Sequence, residues 1–210
     1  MGSVGLLYVG AILFLNGVML LGWIDGRSAA PLNLFVGLLQ VVTPTYLIFT
    51  AGGDENAILA ASGLYLFGFT YLYVAMNLFF DLDGTGLGYF SGFVAGCAIV
   101  FAGLNFWRDN FGDNGFGVIW LHWAFLWALF FVVLGLRMEN LGRYTGAVCA
   151  IQGIVTGAIP AFLLLTGNWS GNTNAAAVAL AIGGIVVFAA LWPALRGSAA
   201  ASEPAPAVVT

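Results

Sequence analysis

A chain of 210 residues that is 61% hydrophobic and 7% charged, with a mean hydropathy of +1.01, cannot keep the surface of a soluble domain wet with five basic and nine acidic side chains. It reads as an integral membrane protein. The formal net charge of −4, with no basic patch, excludes a nucleic-acid partner.

Each span needs about 20 apolar residues to cross ~30 Å of hydrocarbon. The first runs from about Ser3 to Trp23 and stops at the polar turn Asp25-Gly26-Arg27-Ser28. It has no Lys or Arg before it and no small-residue cleavage site after it, which marks a retained span and not a signal peptide. The second covers about Ala29 to Ala51, with Pro44 placed to kink it, and is followed by the loop Gly52-Gly53-Asp54-Glu55-Asn56. The third extends from about Ala57 to Phe80. After the acidic, Gly-rich loop Asp81 to Gly86, the fourth spans about Leu87 to Phe106. Trp107 to Asn114 is polar, and the fifth span closes at Arg137. The sixth runs from about Tyr144 to Thr166, with Pro160 near its end, and the seventh from about Asn174 to Leu195. The expectation is an all-α fold: residues 1–166 form a six-helix bundle, 174–195 add a seventh transmembrane helix, and the Ala- and Pro-rich tail 196–210 is disordered. With seven spans, Arg27, Arg137, Arg143 and Arg196 fall on one side and Arg108 on the other. The positive-inside rule then puts the amino terminus outside and the tail in the cytoplasm.

The fifth span carries the most unusual pattern. Phe116, Trp120, Trp123 and Trp127 share one helical stripe through the centre of the membrane, where Trp is normally confined to the interfaces. A buried indole N–H needs a partner, so this face looks onto either a packed helix interface or the wall of a cavity. Two further stripes resemble it: Leu6, Val9, Leu13 and Asn16 in the first span, and Leu66, Phe69, Tyr73 and Asn77 in the third. A loose repeat links the odd spans, and Gln40 and Gln152 recur in the even ones, as a hairpin repeated three times would produce.

Enzyme chemistry finds little to use. His122, the only histidine, lies roughly opposite the aromatic stripe and suits an interhelical hydrogen bond. One His and the separated Cys97 and Cys149 do not make a metal site, Ser91 lacks a nucleophile-elbow spacing, and a chain without lysine cannot hold retinal as a Schiff base. No catalytic residue, metal or cofactor is expected. The span interiors are polar only through neutral groups: Asn16, Asn33, Gln40, Thr43, Thr70, Asn77, Thr145, Gln152 and Thr156. Singly, most of these are interhelical hydrogen bonds; together with the aromatic rings they fit a passage for a small uncharged polar solute.

The strings LLYVGAILFLNG (6–17), D-x-R-S (25–28), NLFVG (33–37), LFGFTYLYVAMN (66–77), IWLHWAFLW (119–127), R-M-E-N-L (137–141) and I-Q-G-I-V-T-G-A-I-P-A (151–161) closely resemble the urea and short-chain amide channels of the AmiS/UreI family, in order and from residue 1 to about 166. The resemblance implies three helical hairpins around a protomer pore, protomers in a hexameric ring in a bacterial inner membrane, and a cytoplasmic urease or amidase that consumes the solute. It also implies two pore constrictions, with Val9 and Leu13, Phe69 and Tyr73, and Trp120, Trp123, Leu126 and Trp127 at the matching positions. The helical stripes add Leu6, Asn16 and Asn77 to the expected pore, and Phe116 and Gln152 stand at pore positions where this chain departs. Gln152 stands where the urea-channel branch has a glutamate, and Phe116 where it has a tryptophan. The loop Gly52 to Asn56 is short and lacks the histidines of the acid-gated branch, and the seventh span fits the amide-transporter branch. The expected function is passive passage of urea or short-chain amides. The alternatives are a proton-coupled amide transporter, in which Glu139 or Asp25 would titrate, and a structural or sensory membrane subunit without solute flux.

Overall fold

The computed structural model describes residues 2–171 and 173–197. Seven helices in it are long and apolar enough to cross a membrane: α1 (Gly2–Leu20), α2 (Gly26–Thr50), α3 (Glu55–Phe80), α4 (Thr85–Trp107), α5 (Asn114–Gly135), α6 (Glu139–Leu165) and α7 (Thr173–Leu195). The chain is a multi-pass membrane protein. The tail expected from Arg196 lies, beyond Gly197, outside the described residues.

The scarce charges are spent at helix ends. Asp25 accepts from the Arg27 amide at the start of α2, Asp54 from the Asn56 and Ala57 amides at the start of α3, and Asp113 from the Phe116 amide at the start of α5. The second oxygen of Asp113 takes the Trp169 indole N–H at 2.8 Å, which ties the loop after α6 to the head of α5. The first helix ends at Leu20 instead of Trp23, because Gly22 at φ 82° turns the chain. Asp81 adopts a left-handed conformation and closes α3 through its amide to Asn77 O.

The closest packing joins α2 to α3, α4 to α5, and α6 back to α1, so three antiparallel pairs close on themselves. The α1–α2 hairpin, which chain order alone would make a tight pair, is looser than the α1–α6 contact. Glycine explains this. A methyl on Gly10 would overlap the backbone of Gly153 and Ala158, and one on Gly17 the backbone of Gly146 and Ala150. The two helices therefore touch backbone to backbone.

Neutral polar side chains stitch the pairs together. Asn16 and Asn33 exchange amide hydrogen bonds at 3.0 and 2.7 Å between α1 and α2. Gln40 donates to Gly5 O at 2.7 Å, and Gln152 donates to His122 O at 3.0 Å, so the two repeated glutamines each hold the backbone of a neighbouring odd-numbered helix. α2 runs unbroken through Pro31 and Pro44. In α6 the residues ahead of Pro160 widen into a π-turn, Gly153–Ala158. Proline cannot donate to the carbonyl four residues back, and the wider turn absorbs the missing bond. α5 ends in a second π-turn, Phe131–Gly135, where Gly135 meets Gly88 of α4.

α7 lies on the flank of α5 and α6, with most of its length exposed. His122 reaches Leu180 O at 3.0 Å, Phe125 stacks on Phe188 at 5.6 Å, and the Tyr144 hydroxyl donates to Phe188 O at 3.1 Å.

Candidate functional site

Two cavities enter the six-helix bundle from opposite ends. At the end that carries the amino terminus, a cavity of about 460 Å³ is lined by Leu6, Leu64, Phe101, Asn105, Phe116, Trp120 and Trp123, among others. At the other end, a cavity of about 270 Å³ is lined by Leu13, Asn16, Thr70, Tyr71, Asn77 and Trp127, with Asp81 among its walls. Trp123 walls one and Trp127 the other. These residues are one turn apart, so the septum between the cavities is only ~6 Å deep along α5.

Phe67 is the centre of that septum. It is 1% exposed and stands edge-on to Trp123 (4.7 Å, 73°) and Trp127 (5.0 Å, 79°), with Trp120 at 5.6 Å. Trp120 in turn stacks on Phe101 at 4.6 Å and 17°. Val9 and Leu13 are buried on the α1 side. Both central indoles have their N–H groups satisfied, Trp123 by Thr156 Oγ1 at 3.0 Å and Trp127 by Thr70 Oγ1 at 3.3 Å. Of the buried side-chain polar atoms that have no hydrogen-bond partner among the described residues, the Tyr71 hydroxyl and Asn77 Oδ1 belong to residues that line the smaller cavity.

Most of the residues expected at a pore converge here. Leu6, Phe116, Trp120 and Trp123 line the larger cavity, Leu13, Asn16, Asn77 and Trp127 the smaller, and Val9 is buried in the same core. Four do not. Phe69 is 50% exposed on the outer surface and stacks on Tyr65. Tyr73 lies over Gly86 at the start of α4, outside both cavities. Leu126 and Gln152 are fully buried and line neither, with Gln152 engaged on the α5 backbone. Besides Thr70 and Asn77, the larger α3 side chains that face inward are Leu64, Phe67, Tyr71, Val74 and Leu78. Sequence reasoning missed Phe67 and Tyr71 because F-G-F-T-Y-L-Y contains two aromatic pairs at i, i+4. A shift of two residues turns a helix by about 200°, onto the opposite face. The 3-4-3-4 spacing of Leu64, Phe67, Tyr71, Val74 and Leu78 was the available signal.

Among the described residues, the lining of the larger cavity carries no charged side chain and that of the smaller only Asp81. Arg137, with φ at 56°, reaches Asp83 at 3.2 Å, where both side chains are largely exposed. The Thr85 hydroxyl and amide, aided by Arg137, hold the Asp83 carboxyl below its ordinary value. Among the described residues, no three His, Cys, Asp or Glu converge as a metal site would require. Cys149 is buried with its thiol on Leu13 O at 3.2 Å.

Residues 1–168 match the family described as "AmiS/UreI family transporter". The chain is 53% identical over 207 residues to the "Putative transporter protein AmiS2" of Rhodococcus erythropolis, covering 98% of each chain. It is 52% identical over 211 residues to the "Putative amidate substrates transporter protein" of Mycolicibacterium smegmatis, covering 100% of this chain and 98% of that one. In three dimensions it resembles the closed-state structure of the Helicobacter pylori urea channel with a TM-score of 0.73 and 34% identity, over 80% of this chain and 100% of that chain. The family match ends at residue 168, before α7 begins; the Rhodococcus and Mycolicibacterium relatives extend across it.

Proposed function

The chain belongs to the AmiS/UreI family of membrane transporters, and from that premise we propose that it is a passive channel for urea or short-chain aliphatic amides, with no catalytic residues. The observation that carries the reading is the pair of cavities meeting across the Phe67–Trp123–Trp127 septum, with no charged side chain but Asp81 in their linings among the described residues. An ion entering this path loses its hydration and gains no counter-charge, a cost of many kcal/mol. A flat neutral amide loses far less. Its N–H groups meet aromatic faces, and its oxygen meets the Tyr71 hydroxyl, which has no hydrogen-bond partner among the described residues. These contacts are weak enough to release the solute. The names of the relatives support both solute classes: the Mycolicibacterium smegmatis relative is named for amidate substrates and the structural neighbour for urea.

In this reading the amino terminus is outside a bacterial inner membrane and the Asp81 mouth faces the cytoplasm, since Arg27, Arg137, Arg143 and Arg196 share that side. A cytoplasmic reporter fused to the carboxyl terminus should be active; an active extracellular one contradicts this orientation. Protomers assemble as a homo-hexamer in lipid, and a cytoplasmic urease or amidase removes the solute and maintains the gradient. Proton coupling would require a titrating group on the path, and the candidates are placed poorly for it: Asp25 caps α2, and Glu139 stands beside the mouth. In proteoliposomes with an imposed pH gradient, labelled acetamide should only equilibrate. Accumulation above the external concentration would select the coupled transporter instead.

A further inference from the structure

The two indoles that flank Phe67 in the septum are held by the same device from different helices. Trp123 donates its indole N–H to Thr156 Oγ1 on α6, and Trp127, one turn later, donates to Thr70 Oγ1 on α3. Each threonine hydroxyl has already given its own proton to the carbonyl one turn back, Thr156 to Gln152 O at 2.6 Å and Thr70 to Leu66 O at 2.7 Å. That bond fixes the hydroxyl rotor and leaves only lone pairs for the neighbouring indole. Both threonines are buried, and Thr156 sits in the π-turn before Pro160. Phe67 presses on the same two rings, so each indole is held by its ring and by its N–H.

We propose that Thr70 and Thr156 are positioning residues for solute selection: their hydroxyls lock the Trp127 and Trp123 rings that bound the septum and keep both indole N–H groups away from the solute. The inference rests on the passage conducting as proposed above. An indole deprived of its acceptor inside an apolar septum turns about its side-chain torsions until its N–H finds another, and the carbonyl or thiocarbonyl of a passing solute is an available one. The locked arrangement offers the solute only π faces, which keeps the aperture fixed and the binding weak. Losing either lock widens the range of solutes that pass.

The test uses the full chain in proteoliposomes and the ratio of thiourea to urea permeability. Thr70→Val and Thr156→Val keep side-chain volume and remove the hydroxyl; Thr70→Ser and Thr156→Ser restore it. Thr145→Val removes an equally buried hydroxyl of α6 that holds no indole, and so controls for the loss of a buried polar group. Each Val variant at the locks should raise the ratio roughly fivefold or more, the scale of one lost buried hydrogen bond. The Ser variants should return it to within about twofold of wild type, and Thr145→Val should leave it there. Assembled Thr70→Val and Thr156→Val proteins with the wild-type ratio overturn the proposal. Should the Val variants fail to assemble, indole exchange in the wild-type protein decides. The Trp123 and Trp127 N–H protons should exchange far more slowly than that of Trp120, which has no acceptor among the described residues, and equal rates overturn the proposal. A wild-type protein that passes neither urea nor amides overturns the channel reading itself, which a flat ratio in a working channel does not.

Discussion

Phe67 touches three tryptophans at once, so removing its ring should change the passage more than any other single truncation on α3. Phe67→Ala is expected to raise glycerol permeability relative to urea by about tenfold, equivalent to ~1.4 kcal/mol of lost discrimination. Its stability cost should fall below the ~3–5 kcal/mol of a fully packed phenylalanine, because cavities already flank the septum. Phe69→Ala, on the outer surface, should leave selectivity unchanged; stopped-flow measurements on both variants check this, and the opposite ranking would move the pore to the other face of α3. The motif L-F-G-F-T-Y-L-Y was legible as important, but which of its faces turned inward was not, since Phe67/Tyr71 and Phe69/Tyr73 have the same spacing. Titration is also a residue-scale matter. Asp83 has its carboxyl pKa lowered, so its contribution to the mouth is complete above the ordinary value of 3.8 and is lost only as pH falls below that, through the folded value. His122 points away from both cavities, onto α7. Urea flux should therefore vary by less than about threefold between roughly pH 5 and 8. Steep activation by external acid would contradict this.

At the scale of elements, the bundle depends on where side chains are missing. α1 and α6 meet backbone to backbone at Gly10, Gly153 and Gly157, with no space for a Cβ. Gly10→Leu should push the two helices apart and abolish folded yield in detergent, whereas Gly183→Leu on α7, which points into open space, should express like wild type. Equal yields for the two would mean the contact is not needed. The spans themselves were legible from hydropathy, and so was the Trp stripe of α5, because a run of 20 apolar residues and a 3-4 periodicity are local signals. The pairing of α6 with α1 was not. It depends on glycines far apart in the chain, and nothing local distinguishes a glycine at a helix contact from one facing lipid. The π-turn of α6 was half visible: Pro160 announced an interruption, but not that the widened turn would hold Thr156 beneath Trp123.

For the whole molecule, the distribution of charge is the main design feature. Acidic residues cap helices, an exposed Arg137–Asp83 pair stands beside the smaller cavity, and the septum between the two cavities is aromatic. Such an interior suits a solute that carries dipoles without net charge. α7 adds to the outside of this unit without entering it, consistent with a structural neighbour that is matched over its full length by 80% of this chain. The most direct test is stopped-flow light scattering on proteoliposomes, comparing urea, acetamide and glycerol at equal osmotic steps. The expected result is urea and acetamide entry well above that of protein-free vesicles, with glycerol close to the protein-free rate. Urea and acetamide rates no faster than those of empty vesicles, with the protein shown to be folded and inserted, would contradict the central claim.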